Sequence, residues 1–395
     1  MIPKHPAEIE KTDSLRHYFD WAASAVPDKI TDGISLGNDF LFGNPSSMHR
    51  EGRAARDALE VARAGCARVL GVPPETLYFT SGGTEANCIP LYSSLTRQGM
   101  GRMIASQGEH SSVIKNVKNL ERLGKKTGFI PVDFSARVTP ALLSQTLEKY
   151  PDTRFAAIMA VNNETGTIND IAALRDVIRA ANGSPIHLHC DMAQAAGKIP
   201  LDIAGWDVDS ASLSGHKIGG PRSIGLLYLR KPVEALCLGG GQEKKVRSGT
   251  ENVAGAMALA ACLENHALPE KFQAEHEQAR LRWKRLLGAL KGIDRCRLIP
   301  AEREIDDDGF SPYIVQAAFK DVPGEVMTRA LDDLGFAVST GAACSSSTPE
   351  RPVLAAMGIE GNLSLEGIRI SQGWSTTDDE IDGLLAAISE VLKFL

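Results

Sequence analysis

The sequence predicts an α/β protein with a mainly parallel sheet in a large domain and a smaller α+β domain after it. The length of 395 residues exceeds the ~250–300 residues at which a single core stops growing, so two domains are expected. Short apolar runs alternate with stretches of helical period from about residue 76 to residue 230. After Glu251 the pattern changes to long charged helices, which indicates the second domain.

Seven runs in the first part have the composition of buried strands, at residues 76–81, 102–106, 128–133, 155–163, 186–191, 211–214 and 224–229. Helix-like stretches lie between several of them, at 84–96, 110–123 and 170–181. This alternation implies a mainly parallel sheet that is covered on both faces. Ligands of such sheets bind beyond the carboxyl ends of the strands, so polar residues that follow the strands are the candidates for chemistry.

The second part contains predicted helices at 269–290, 324–334 and 376–395 and strand-like runs at 313–319, 336–340 and 368–372. We expect a large domain at residues 18–262. Residues 1–17 and 263–395 are expected to form the small domain.

The charge balance argues against nucleic acid or an anionic membrane as a partner. Lys and Arg number 43 against 49 Asp and Glu, which gives a formal net charge of -6. No apolar stretch reaches membrane-spanning length, and the first residues lack the apolar core of a secretory signal. Seven widely spaced cysteines without a C-x-x-C pair suggest a reducing compartment and no metal site, so we expect a cytoplasmic protein.

Lys217 lies in the glycine-rich sequence S-G-H-K-I-G-G-P, directly after a predicted strand. A lysine there can form a Schiff base if burial and nearby positive charge favour its neutral form. An isolated His-Lys pair is more often a solvated loop, and only the accompanying motifs favour chemistry at this position.

Gly83 and Thr84 join a predicted strand to a helix. Free backbone N–H groups at a helix N-terminus bind anions, so a cofactor phosphate would fit there. The structural alternative is that Thr84 caps the helix, with Glu85 in the first turn.

Asp191 ends the run I-H-L-H-C-D, and Gln194 follows three residues later. A carboxylate at this point could face a buried cation such as the pyridinium nitrogen of pyridoxal 5'-phosphate (PLP). Helix capping is the structural alternative for Asp191, and Lys217 downstream favours the PLP site.

These motifs resemble the cysteine desulfurases of the NifS/IscS type, which are fold-type I PLP enzymes of the class V aminotransferase group. The resemblance spans nearly the whole chain and implies a mainly parallel seven-stranded sheet in the large domain. The matching segments are Y-F-D-W-A-A-S (18–24), F-G-N-P-S-S (42–47), S-G-G-T-E-A-N (81–87), E-H-S-S-V (109–113), V-N-N-E-T-G (161–166), D-M-A-Q (191–194), S-G-H-K (214–217), R-S-G-T-E-N (247–252) and T-G-A-A-C-S-S (340–346).

The resemblance implies that Lys217 forms the Schiff base with PLP and that His110 stacks on its ring. Asp191 would pair with the ring nitrogen, and Gln194 would contact the phenolic oxygen. Lys217 or His110 would move protons during catalysis.

For the phosphate, the resemblance implies Thr84, Ser214 and His216. Thr250 would reach the phosphate from a second subunit, so a homodimer is expected.

For the substrate, the resemblance implies that Asn163 and Arg369 bind the amino-acid carboxylate, with assistance from Asn44. A guanidinium suits that role because it can bind a carboxylate with two hydrogen bonds. The alternative for Arg369 is a surface ion pair.

Cys344 lies among small polar residues, G-A-A-C-S-S-S, as expected for an accessible thiol. The resemblance implies that it takes sulfur from L-cysteine as a persulfide, releases L-alanine and passes the sulfur to an acceptor such as an iron–sulfur scaffold protein. Cys66, Cys88, Cys190, Cys237 and Cys262 are expected to be buried. The segment after Cys344 is one residue shorter than in the NifS/IscS pattern.

Three alternatives remain open at this point. A selenocysteine lyase shares the fold and the cofactor. Another lyase or an aminotransferase of the same group would not need Cys344. A non-catalytic docking partner would not need Lys217 or Asp191.

Overall fold

A computed structural model describes residues 16–36, 42–96, 101–181, 185–341 and 351–395. Its strands are β1 (His17–Tyr18), β2 (Leu77–Thr80), β3 (Arg102–Ser106), β4 (Thr127–Ile130), β5 (Thr153–Ala157), β6 (His187–Asp191), β7 (Ser210–Ser214), β8 (Gly225–Leu229), β9 (Cys296–Ile299), β10 (Ile314–Phe319), β11 (Phe336–Ala337) and β12 (Gly367–Ser371). Its α-helices are α1 (Asp32–Leu36), α2 (Arg50–Leu70), α3 (Gly83–Tyr92), α4 (Ser111–Arg122), α5 (Pro140–Lys149), α6 (Ile171–Ala180), α7 (Ile203–Trp206), α8 (Val253–His266), α9 (Pro269–Lys291), α10 (Gly324–Asp333), α11 (Pro352–Ala356), α12 (Asn362–Glu366) and α13 (Asp378–Phe394).

The central sheet has seven strands in the order β2-β8-β7-β6-β5-β3-β4. Strands β3 to β7 pair in parallel, whereas β8 lies antiparallel between β7 and β2. The link from β7 to β8, residues 215–224, contains only a 3₁₀ turn and is too short for the helical crossover that a parallel pair needs. The prediction of a mainly parallel sheet is confirmed, and each of the seven predicted runs overlaps a strand.

Alternate residues of the central strands enter different cores, so both faces of the sheet are covered. In β3, Ile104 packs in the core that includes Leu59 of α2 and Leu174 of α6. Met103, one position earlier, packs with Val117 of α4 on the other face. The predicted helix 84–96 is shorter in the structure, because α3 ends at Tyr92 and a 3₁₀ turn completes it.

A second sheet of three antiparallel strands, β12-β10-β9, has its own core with α9 and α13. This core includes Phe19, Trp283, Leu286, Val315, Phe319, Ile368, Leu384 and Ile388. The predicted helices at 269–290 and 376–395 correspond to α9 and α13, and Thr377 and Glu380 form a capping box at the start of α13.

The proposed domain limits at 17/18 and 262/263 stay predictions. Within the described ranges, no helix is long and apolar enough to span a bilayer.

The N-terminal segment connects the two sheets. Strand β1 pairs with β11, and Asp20 bridges to Ser371 at the end of β12. Further along, the backbone amide of Ala25 donates to the carbonyl of His216 at 2.8 Å, and Asp28 donates to Gly219 at 2.9 Å. Residues 19–28 are therefore held against the turn that carries Lys217.

Candidate active site

Lys217 lies in the 3₁₀ turn that follows β7, and its amine reaches the N-terminal segment. Its Nζ donates to the carbonyl oxygens of Ala22 at 2.6 Å and Ala23 at 2.7 Å. Burial lowers the pKa of Lys217 to about 8, and the charge of Arg369 lowers it as well. The amine is therefore easier to deprotonate than an ordinary lysine, as the sequence predicted.

The carboxylates of Asp20 and Asp191 raise the pKa of Lys217 and so oppose part of this decrease. Asp191 ends β6, next to β7, and is 5% exposed. Its Oδ1 accepts from the backbone amide of Ala193 at 2.9 Å, and its Oδ2 accepts from Asn87 Nδ2 at 2.7 Å. One oxygen thus caps the following turn, as the capping alternative expects. The other oxygen is held by the buried side chain of Asn87, and capping does not explain that contact.

Asn87 of α3 is a residue that the sequence reasoning did not assign. Its Nδ2 donates to Asp191 and, at 2.9 Å, to Ser112 Oγ, while its Oδ1 lies 2.9 Å from His189 Nε2. Burial lowers the pKa of His189 to about 3, and His187 lowers it further, so His189 is neutral. The position of Asn87 at the end of S-G-G-T-E-A-N was the available signal, but its partners come from α4, β6 and β7.

His110 precedes α4 and caps that helix. Its Nδ1 lies 3.2 Å from the backbone amide of Ser112 and 2.8 Å from Ser112 Oγ. A nitrogen that accepts from an amide carries no proton, so the proton of the neutral ring is on Nε2. Burial lowers the pKa of His110; the charge of Asp191 raises it and that of Lys217 lowers it. The role of His110 at a site shared with Asp191 and Lys217 stays a prediction.

The turn before α3 provides the predicted anion site. The helix begins at Gly83 after Gly82, which has φ of 150° and no side-chain cap, so Thr84 is the second helical residue. The alternative in which Thr84 caps the helix is wrong for this reason. In the described part of the chain, no group accepts from the amides of Gly83 or Thr84. These amides are free for an anion.

Ser214 lies close to this turn, and His216 follows Ser214 in the chain. A Cβ on Gly83 would come within 3.2 Å of Ser214 Cβ, so glycine allows the helix start to approach the end of β7. The Nδ1 of His216 lies 3.3 Å from Ser24 Oγ. Burial lowers the pKa of His216 to about 4, and Lys217 is the largest of the charges that lower it further.

Gln194 lies on the turn after β6 and is 3% exposed. Its Nε2 donates to the carbonyl oxygen of Ala22 at 2.7 Å, the same oxygen that accepts from Lys217. Its Oε1 accepts from Lys198 Nζ at 2.7 Å. Lys198 is a second residue that the sequence reasoning missed.

Arg369 on β12 is buried, 5% exposed, which excludes the surface ion pair considered from the sequence. One Nη donates to Asp20 Oδ1 at 2.7 Å, and the other donates to the carbonyl oxygen of Asn163 at 3.0 Å. Arg369 Nε and Asn163 Oδ1 are buried, and neither has a hydrogen-bond partner among the described residues. Polar atoms left in this state can bind a ligand with complementary groups.

Two predicted residues are not joined to this cluster by hydrogen bonds in the ranges that the structure describes. Asn44 is exposed before α2, and its Oδ1 accepts from the amide of Ser46 at 2.9 Å. Thr250 is exposed on the loop before α8. Its loop is tied to α3 through Arg247, whose Nε lies 3.3 Å from Glu85 Oε1.

Cys344 lies outside the described residues. Burial raises the pKa of Cys66, Cys262 and Cys296 to about 12, and it raises that of Cys88 and Cys190. Cys237 is exposed, so its predicted burial is wrong: the loop after β8 places it at the surface, and the apolar neighbours in sequence do not cover it. Cys88 is half-buried, so the expectation of full burial also fails there.

Comparison with known proteins places the chain among relatives of the same size. A family model described as Aminotransferase class-V matches residues 17–384. The cysteine desulfurase IscS of Salmonella arizonae is 36% identical over 380 residues, which cover 92% of this chain and 90% of that protein.

Two solved structures have the same architecture. A NifS-like protein superposes with a TM-score of 0.87 at 31% identity and covers 96% of this chain and 100% of that one. SspA in complex with cysteine superposes with a TM-score of 0.75 at 28% identity, covering 90% of this chain and 98% of that one.

Proposed function

The chain belongs to the class V aminotransferase family, and from this premise we propose that it is a cysteine desulfurase that uses PLP. The observation that carries the proposal is that Lys217 lies within the electrostatic reach of Asp191. An amine with a lowered pKa and a buried carboxylate follow neighbouring strands and interact electrostatically. Perturbed groups that converge beyond the strand ends of an α/β sheet are typical of an active site.

The residues present fit PLP on three counts. The free amides of Gly83 and Thr84 suit its phosphate, and Lys217 offers an amine of lowered pKa. Asp191 and Gln194 would hold the ring nitrogen and the phenolic oxygen. When bound, PLP supplies an electrophilic carbonyl carbon and a ring that accepts electron density.

Lys217 and His110 are the two side chains that can donate or accept a proton in the proposed reaction. With its pKa near 8, about a tenth of Lys217 is neutral at pH 7, far more than of an ordinary lysine. The carbonyls of Ala22 and Ala23 orient its Nζ. His110 carries its proton on the nitrogen that faces away from Ser112, and this is the atom from which a proton can be moved.

Arg369 and Asn163 bind the substrate carboxylate. The guanidinium is already fixed by Asp20, and its Nε has no partner within the described ranges. Preorganised donors bind an anion without the loss of side-chain entropy that a mobile arginine would suffer. L-cysteine is the proposed substrate, and SspA in complex with cysteine shows that a protein of this fold binds it.

Cys344 accepts the sulfur. Its thiolate forms a bond to the substrate sulfur while the bond between that sulfur and Cβ breaks, so that L-cysteine and the Cys344 thiol become L-alanine and a Cys344 persulfide. The sulfur then passes to an acceptor protein, with iron–sulfur cluster assembly as the proposed destination. A cytoplasmic location stays a prediction from the cysteine pattern.

A homodimer completes the site in this proposal, because Thr250 reaches the phosphate of the partner's site. The exposure of Thr250 and the absence of a hydrogen bond to the described residues around Lys217 support this assignment. Interfaces between identical subunits commonly place such a loop of each copy at the other copy.

The test compares wild type with Cys344→Ser and with Cys237→Ser, a matched control at the exposed cysteine that follows β8. Purified protein reconstituted with PLP is examined for a visible absorbance band and for alanine and sulfide released from cysteine. Wild type and Cys237→Ser should show both, and Cys344→Ser should keep the band and lose sulfide release.

Three other results would overturn parts of the proposal. A band with unchanged activity in Cys344→Ser would identify a lyase or aminotransferase. Selenide release from selenocysteine far above sulfide release from cysteine would identify a selenocysteine lyase. A wild-type protein without a band would contradict the use of PLP.

A further inference from the structure

Lys198 is a buried cation beside the site. It is 3% exposed, and among the described residues its Nζ has one hydrogen-bond partner, Gln194 Oε1, and no ion pair. Burying an ammonium group with one neutral acceptor is costly. Burial lowers the pKa of Lys198 to about 7, and the charges of Lys217 and Arg369 lower it further. Core packing alone would be served better by an apolar side chain, so the amine requires another explanation.

The backbone around Lys198 is fixed. Its amide donates to the carbonyl of Ala195 at 2.9 Å, within the turn that also carries Gln194. Gly197, the preceding residue, has φ of 69°, and a Cβ there would come within 3.1 Å of Ile218 Cδ1. His276 of α9 also lies against the backbone of Lys198. The turn after β6 and α9 together therefore place this backbone.

The Nζ of Lys198 donates to Oε1 of Gln194, so the amide oxygen faces Lys198, and the charged form of the amine, which has no acceptor, excludes the opposite orientation. The NH2 group must then point to the opposite side, where it donates to Ala22 O at 2.7 Å. That oxygen also accepts from Lys217. Gln194 Nε2 carries a second hydrogen, which is left for a ligand at the amine of Lys217.

We infer that Lys198 is a positioning residue, which fixes the Gln194 amide so that its NH2 group faces the Lys217 side and donates to the phenolic oxygen of the cofactor. This inference rests on the proposed function, because it assigns Gln194 a bound cofactor oxygen. Without the ammonium, the amide can turn over and present its oxygen to that electron-rich atom, which is repulsive.

The experiment titrates the visible absorbance band of PLP-loaded protein with pH. A donor on the phenolic oxygen stabilises the form of the chromophore that has lost its proton, so loss of the donor raises the midpoint pH. We expect Lys198→Met to raise the midpoint by at least about half a pH unit. Lys198→Arg, which keeps the charge and the donors, should restore much of the wild-type value.

A double-mutant cycle tests whether Lys198 acts through Gln194. In a Gln194→Met background, Lys198→Met should shift the midpoint by less than half of its effect in the wild type. Equal shifts in the two backgrounds would overturn the positioning role. A midpoint that is unchanged in Lys198→Met, with only a lower melting temperature, would also overturn it and indicate a structural role.

Failure of the proposed function has a different signature. In that case wild-type protein would show no PLP band, or it would show a band and release no sulfide from cysteine. A wild type with both properties and an unmoved midpoint in Lys198→Met would reject the inference alone.

Discussion

Lys217 is held by two backbone carbonyls and a balance of charges, and its replacement should remove cofactor attachment without unfolding the chain. Lys217→Ala is expected to abolish the visible band, because no other described amine occupies this position. Absorbance after incubation with PLP and removal of the free cofactor provides the measurement. Lys231→Ala, at an exposed lysine after β8, should keep the full band; a band of wild-type intensity in Lys217→Ala would contradict the assignment.

Arg369 should act mainly on substrate affinity. Arg369→Lys keeps a positive charge but loses the planar pair of donors and the fixed contact with Asp20. We expect KM for cysteine to rise at least about tenfold, with a smaller change in kcat, which corresponds to roughly 1.4 kcal/mol or more of lost binding. Steady-state kinetics measure KM and kcat separately. Arg297→Lys at an exposed position of β9 serves as the control. An unchanged KM would count against this role.

The burial of Lys198 predicts how the stability of the protein depends on pH. Its pKa is about 7 in the folded chain against an ordinary value of 10.5, so between these values the unfolded chain binds more protons. The free energy of unfolding of cofactor-free protein should therefore rise from pH 7 toward pH 10. The destabilisation caused by burying the charged Lys198 is fully present below pH 7. Lys198→Met should flatten this rise by an amount on the order of 3 kcal/mol.

Denaturant unfolding at several pH values measures this effect. The lowered pKa of Lys217 also makes the free energy of unfolding rise above pH 8. Lys198→Met therefore keeps part of the increase in stability with pH. Identical slopes for wild type and Lys198→Met would show that Lys198 is not the buried cation responsible.

At the scale of elements, an ion pair ties α2 to the loop that leads to Thr250. Arg63 of α2 contacts Glu243 through two hydrogen bonds of 2.9 and 2.8 Å, and Glu243 also accepts from the amide of Phe79. Glu243, Lys244 and Lys245 all have positive φ, between 44° and 68°. Three consecutive residues in this region are strained, and the buried pair is what stabilises them.

Removing one partner leaves a buried charge. We expect Glu243→Gln to lower the free energy of unfolding by about 3 kcal/mol. Arg68→Ala is the matched control on the same helix, where an exposed pair with Glu264 should contribute less than about 1 kcal/mol. Urea unfolding gives both values, and equal effects would contradict the argument.

At the scale of the molecule, the proposed dimer predicts complementation between two inactive variants. If Thr250 acts in the partner's site, a hybrid of Lys217→Ala and Thr250→Ala subunits contains one site with both residues intact. Co-expression should therefore recover about a quarter of wild-type activity under random pairing. If Thr250 acts within its own chain, no hybrid site is intact, and the mixture stays inactive.

The sequence predicted the sheet, the small domain's main helices and the positions of Lys217 and Asp191, because strand ends and glycine-rich turns are local signals. It did not predict Asn87 or Lys198. Their contacts depend on the strand order that brings α3 over β6 and on the packing of the turn after β6. The contact between Asp20 and Arg369 joins residues 349 positions apart and has no local signal.

The attachment of residues 19–28 to both sheets has a consequence for synthesis on the ribosome. Ala22 N donates to Ser371 Oγ, and Ser371 N donates to Phe19 O, so the segment whose carbonyls orient Lys217 is held by the end of β12 as well as by the turn after β7. A nascent chain that has emerged only through the central sheet already contains the lysine but lacks this support. Vectorial folding therefore delays the full set of bonds around this segment until β12 has been made.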